Sequence, residues 1–151
     1  MMTDTEIKSI QKSFQLLDGH TELFATLFYT RLFELDPSLR ILFHGDMKEQ
    51  GKKLMNTMTL LNASLDRFHS LRESLRNLGR RHAGYGVRSE HYAIVGAALL
   101  QTLEEFAGPK FDATLKQAWT KLLTLVSGEM LGGAGETGSL QTPATVGFVR
   151  G

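Results

Sequence analysis

The side chain best placed to do chemistry in this sequence is His82. It follows Leu71, Leu75 and Leu78, which recur at helical spacing, and it precedes Gly84 and Gly86, which break that helix. The imidazole therefore stands at a helix C-terminus, beside apolar side chains and ahead of a tight corner. A neutral imidazole is the commonest biological metal ligand, and a nearby carbonyl can fix its second nitrogen. The last turn of a helix supplies such carbonyls. A packed core histidine or a helix cap would occupy the same position, so this residue alone leaves the ligand and structural readings open.

The chain that must position His82 has 151 residues, 42% of them hydrophobic, which suits one domain around a single core. Seventeen basic and 16 acidic residues leave a net charge of +1. That balance gives no electrostatic case for a nucleic-acid partner or an anionic lipid surface. There is no cysteine, which excludes disulfides, zinc thiolate sites and a cysteine nucleophile. No apolar run is long enough to span a bilayer, and Met1-Met2-Thr3-Asp4 lacks a charged-then-apolar leader pattern. A cytoplasmic protein without an integral membrane segment is expected.

Helical periodicity accounts for nearly all of the chain. Thr3-Asp4-Thr5-Glu6 reads as an N-cap with an acidic first turn, followed by Ile7, Ile10, Phe14 and Leu17, and stopped at Asp18-Gly19. A second helix starts near Thr21, places Tyr29 and Phe33 on one face, and ends at Asp36-Pro37. Residues 37–43 form a short helical corner and His44-Gly45-Asp46 a loop. Gln50, Leu54, Met58, Leu61 and Leu65 share a face of the next helix. After the His82 helix, Tyr92, Val95, Leu99, Leu103 and Phe106 mark another, ending at Gly108-Pro109. The last carries Phe111, Leu115, Ala118, Trp119, Leu122, Val126 and Met130. The glycine-rich run from Gly132 to Ser139 reads as non-helical, so residues 1–131 are the expected domain and residues 132–151 a flexible tail.

In this frame the sequence resembles a globin, and more specifically the single-domain bacterial haemoglobins and the globin domain of flavohaemoglobins. The segments that carry the resemblance are Phe28-Tyr29-Thr30-Arg31-Leu32-Phe33, Asp36-Pro37 with Leu42-Phe43, Glu49-Gln50-Gly51-Lys52-Lys53-Leu54, Gly79-Arg80-Arg81-His82, His91-Tyr92-Ala93-Ile94-Val95-Gly96 and Ala118-Trp119. Each is common alone; their order and spacing together are specific.

The resemblance implies an all-α globin fold around one haem b, with His82 as the iron's protein ligand. It implies that Phe43 wedges against the haem, and that Leu54, Leu78, Val87, Tyr92 and Val95 contribute to its pocket. Lys53 would meet a propionate, with Arg80, Arg81 and His44 as further candidates. Tyr29 and Gln50 would be the distal pair. Both are hydrogen-bond donors, placed where held dioxygen develops negative charge. His20, His69 and His91 are expected in solvent or at helix ends.

Single-domain bacterial haemoglobins and flavohaemoglobins often carry a late glutamate that works with a tyrosine matching Tyr92 on the proximal histidine. Here Ala134 falls at or near that position, with Glu129 and Glu136 out of register. The strong proximal push of those proteins is therefore not expected. With the sequence stopping at Gly151, a flavin or nicotinamide domain is not expected either, and any reductase would be a separate protein.

The implied function is reversible binding of O2, with NO and CO as further gases, for oxygen carriage, storage or delivery, by a monomer or weak homodimer. The alternative is a nitric oxide dioxygenase acting with a separate reductase. A haem-free helical interaction module is a third reading, opposed by the presence of both His82 and Phe43.

Overall fold

The computed structural model describes residues 2–137. Six α-helices are joined by turns and short 3-10 segments, and there is no strand among the described residues. Helix α1, Asp4–Phe14, opens with a capping box: the Glu6 amide donates to Thr3 Oγ1 at 3.1 Å and the Thr3 amide to Glu6 Oε1 at 2.8 Å. Helix α2, Thr21–Leu35, ends at Asp36, whose carboxylate accepts from the Ser38 amide at 3.0 Å and starts the 3-10 corner Pro37–Leu42. Helix α3, Met47–Ala63, is capped by Asp46 through the Lys48 amide at 2.9 Å.

A 3-10 segment, Leu65–Leu71, leads into α4, Arg72–Gly84, which carries His82. The chain then turns through Gly86 at φ +95°, a left-handed conformation that a side chain would resist. Helix α5 runs over Ser89–Ala107, and its first turn is tied by the Arg88 amide donating to His91 Nδ1 at 2.9 Å. Helix α6 is Ala113–Thr137. Its first turn is capped by Asp112, which accepts from the Leu115 amide at 2.9 Å.

The core gathers around α2, where Phe24, Phe28 and Leu32 are fully buried, together with Ile10 of α1, Ala98 and Thr102 of α5, and Leu122 of α6. Trp119 reaches α1 by donating from Nε1 to Ser13 Oγ at 2.9 Å. On the surface, Arg31 forks onto both oxygens of Glu105 at 2.7 Å, fastening α2 to α5.

The expected break before Gly132 does not occur: α6 continues without interruption to Thr137. Tertiary packing overrides local propensity here. A Cβ at Gly133 would lie 1.9 Å from the Arg76 carbonyl oxygen of α4, and one at Gly79 would lie 1.8 Å from the Met130 carbonyl oxygen of α6. The two helices therefore meet backbone to backbone, in antiparallel register, at sites that only glycine can occupy. Their contact outweighs the roughly 1 kcal/mol by which each glycine disfavours a helix. The tail reading is thus corrected for residues 132–137. Residues 138–151, with Val146, Phe148 and Val149, lie outside the described residues.

Candidate functional site

His82 is completely buried on the last turns of α4. Its Nδ1 lies 2.8 Å from the Leu78 carbonyl oxygen. A carbonyl only accepts, so Nδ1 carries the proton and Nε2 is the ring nitrogen left with a lone pair. The corner folds back on the same residue, with the Tyr85 and Val87 amides both donating to the His82 carbonyl at 3.0 Å. The last carbonyls of α4 are used to hold the imidazole turn, as its sequence position suggests.

The expected pocket residues fall into three groups. Phe43, Val87 and Val95 converge with Leu32, Leu39, Leu42 and His91 on a narrow apolar pocket. Leu54 and Tyr92 are buried and Leu78 is half-buried, all three packed into the core. Lys53 is exposed on α3. Arg80 is occupied by Glu73 and Asn77 along α4, and Arg81 is exposed. His91 does stand at a helix end, but it also lines the pocket, which its sequence position did not announce. Leu32, Leu39 and Leu42 were missed as pocket residues. The Leu42-Phe43 pair at the end of the corner was the available signal.

Tyr29 and Gln50 are both buried and adjoin one another. The Tyr29 hydroxyl donates to the Gln50 carbonyl at 3.4 Å, a long bond that is readily exchanged for a better one. Gln50 Nε2 donates to the His44 carbonyl at 3.0 Å, which anchors the side chain to the loop before α3. Its Oε1 is buried without a hydrogen-bond partner. Burial pushes the Tyr29 phenol well above its ordinary range and the Tyr92 phenol up to about 12. Both are therefore neutral hydroxyls near pH 7.

Tyr29 also belongs to an aromatic cluster. It stacks on Phe33 at 6.1 Å and meets Phe43 edge-on at 5.5 Å, while Phe33 and Phe43 meet edge-on at 5.5 Å. The Arg40 guanidinium lies 5.2 Å from the Phe33 ring centre. Behind this cluster α2 and α3 enclose a surface cleft of about 790 Å³, lined by Tyr29, Phe33, Gly51 and Met55 among others. Nothing in the sequence pattern marked it.

Among the described residues no cluster of three or more His, Asp or Glu side chains could hold a metal ion. A metal at His82 must bring its other ligands with a cofactor. The buried imidazole, with Nδ1 held by the Leu78 carbonyl and with Val87 of the apolar pocket hydrogen-bonded to its own carbonyl, suits a largely apolar iron cofactor. Glu129 spends its carboxylate on Arg72 at 3.2 Å and Arg76 at 3.5 Å, in line with its being out of register with His82.

The sequence profile of the Globin family matches residues 26–130, most of the chain. The chain is a globin. Membership implies a haem, and the site built around His82 accommodates that implication. Neuroglobin of Danio rerio is 33% identical over 143 residues, covering 85% of this globin and 90% of the relative. The flavohemoprotein of Vibrio cholerae is 28% identical, covering 80% of this globin but 31% of the longer relative. Among solved structures, an engineered carbene transferase derived from a putative nitric oxide dioxygenase of Rhodothermus marinus superposes with a TM-score of 0.81. It is 24% identical and covers 93% of this globin and 98% of that chain. The likeness covers nearly the whole chain and, with the family match, establishes the all-α globin fold. No helix among the described residues is long and apolar enough to cross a membrane.

Proposed function

We propose that this globin holds haem b through His82 Nε2 and reversibly binds dioxygen, for carriage, storage or delivery. The observation that carries the proposal is the fully buried His82 with Nδ1 committed to the Leu78 carbonyl. When bound, the haem iron supplies the coordination site for the gas. The Leu78 carbonyl orients the imidazole and raises its basicity. Leu54, Leu78, Val87, Tyr92 and Val95 exclude water, and Phe43 closes the pocket at the corner. Tyr29 presents a neutral hydroxyl whose present bond to Gln50 is long, and the Gln50 amide has a second hydrogen beyond the one given to His44. Both donors favour a polar gas over an apolar one. Exposed Lys53 is the side chain assigned to a haem propionate.

The test is an absorbance series on the purified protein, reduced and then exposed to O2 and CO, alongside His82→Ala. The variant is expected to lose haem, or to hold it weakly and recover a five-coordinate ferrous spectrum with added imidazole. An unchanged Soret band and ferrous spectrum in His82→Ala would remove the residue from the site. A second reading, nitric oxide dioxygenation with a separate reductase, takes its motive from the structural neighbour described as a putative nitric oxide dioxygenase. Sustained NO consumption with a supplied reductase would select it.

A further inference from the structure

The α2–α3 cleft has a closed floor. Ala25 and Gly51 meet there so tightly that a Cβ on Gly51 would lie 3.0 Å from Ala25 Cβ, and buried Met55 follows one turn on. Gln50 and Leu54 each precede one of these α3 residues, turn to the neighbouring face of the helix and do not line the cleft. What remains is a dead-end groove of about 790 Å³, within the roughly 300–1,000 Å³ usual for sites of small organic molecules.

Its walls are aromatic and thioether. Tyr29 and Phe33 stack along α2 with ring centres 6.1 Å apart, and Met47 and Met55 line the α3 side. The polar atoms nearby are mostly spent. Tyr29 donates its hydroxyl to the Gln50 carbonyl at 3.4 Å, and Thr26 and Thr30 donate theirs to the Glu22 and Thr26 carbonyls at 3.0 and 2.9 Å. Thioether sulfur packs favourably at ring edges, so a flat aromatic guest matches these walls better than a flexible chain.

Four of the five charged side chains in the lining are paired. Glu22 meets Lys48 at 3.8 Å, Glu34 meets Arg31 at 3.0 Å and Lys52 meets Glu49 at 3.3 Å. The fifth, exposed Arg40, has no carboxylate partner among the described residues, and its guanidinium lies over the Phe33 ring at 5.2 Å. A guanidinium on a ring face keeps its N–H fork for another acceptor, which a carboxylate matches with two parallel hydrogen bonds. One uncommitted positive charge calls for one negative charge in the guest. We propose that the cleft binds an aryl monocarboxylate, with its ring body against Phe33, Tyr29, Met47 and Met55 and its carboxylate on Arg40. This site is additional to the gas site and stands whether or not His82 binds iron.

The probe is 2-naphthoate, titrated by calorimetry into the haem-loaded protein while the Soret band is followed. Saturable one-to-one binding is expected with an unchanged Soret band. Arg40→Gln, an exposed change with little risk to folding, should weaken binding about tenfold, the scale of one charge-assisted hydrogen bond. The neutral amide of the same ring should bind the parent about tenfold more weakly than the acid, and Arg40→Gln should not weaken it further. Lys52→Gln, at the same rim but paired with Glu49, should leave the acid's affinity within about twofold. Thr30→Trp fills the groove from an exposed position and should abolish binding.

No saturable binding of 2-naphthoate up to its solubility limit would overturn the site. A Soret shift on addition would put the acid on the iron and overturn it as well. Equal losses in Lys52→Gln and Arg40→Gln would reveal diffuse attraction in place of a seat on Arg40, and undiminished binding in Thr30→Trp would remove the acid from the groove. Decanoate binding about tenfold more tightly than 2-naphthoate would overturn the aromatic class.

Discussion

Helices α4 and α6 meet backbone to backbone across Gly79 and Gly133, whereas α2 and α3 come close at Ala25 and Gly51 and leave a cleft beside that contact. The first pair is further tied by Glu129 to Arg72 and Arg76. The second is bridged at the cleft rim by Lys48 and Glu22, a solvent-exposed pair of the kind that contributes little. The helix that carries the imidazole is thus clamped, while the helices that carry Tyr29 and Gln50 leave room between them. A ligating side chain benefits from a fixed height and direction. On the proposed reading, the side that receives a gas keeps more freedom to adjust.

The sharpest way to break the contrast is to put a methyl group into the clamp. Gly79→Ala or Gly133→Ala drives a Cβ against a carbonyl oxygen that cannot swing aside. Each should cost at least the upper end of the about 1–3 kcal/mol usual for overpacking. Urea unfolding would measure it, and a loss below about 0.5 kcal/mol would mean that α4 and α6 are not in backbone contact.

The next largest effect belongs to the distal pair. Losing the Tyr29 hydroxyl in Tyr29→Phe should speed O2 release on the order of tenfold, the value of one hydrogen bond at the strong end of its range. CO release should change little, because CO stays nearly apolar. Gln50→Leu should have the smaller effect, since the Gln50 amide is already shared with the His44 carbonyl. Stopped-flow dissociation on both variants is the measurement. An O2 release rate for Tyr29→Phe within about twofold of the parent, well below the hydrogen-bond scale, would take Tyr29 out of the gas site.

Smaller again is the effect expected at the α2–α3 contact. A Cβ at Gly51 would lie 3.0 Å from Ala25 Cβ, so the helices need part by only a few tenths of an ångström. The strain is partly offset by the better helix propensity of alanine, leaving a net loss of about 1 kcal/mol or less. Ala25→Gly in the same chain should recover the packing part of that loss. Failure of the double variant to recover would show that something other than this contact sets the helix separation.

The smallest change, and the one of opposite sign, is Gly128→Ala. Beyond its own helical turn and chain neighbours, no atom lies within 4 Å of the added methyl group. Helix propensity alone should then stabilise the protein by about 0.5–1 kcal/mol. A destabilised Gly128→Ala in thermal unfolding would extend the clamp about half a turn further along α6 than the contact at Met130 places it.

The sequence by itself determined the punctuation of the helices and the identity of the candidate site. Thr3 with Glu6, Asp36 with Pro37, and Gly108 with Pro109 act within one turn of chain. Such local hydrogen bonds and φ restrictions are legible wherever they occur. His82, Gln50 and Tyr29 could be nominated because helical register and a family resemblance place them together.

Only the tertiary structure decided the rest. Gly132 and Gly133 read as coil by propensity and became helix, because α6 can approach α4 only where no Cβ intervenes. Gln50 read as a donor of the distal pair, and its amide is tied to the His44 carbonyl. The cleft between α2 and α3 arises from how two helices cross. These outcomes depend on distances between residues remote in the chain, and no local pattern of side chains encodes such a distance.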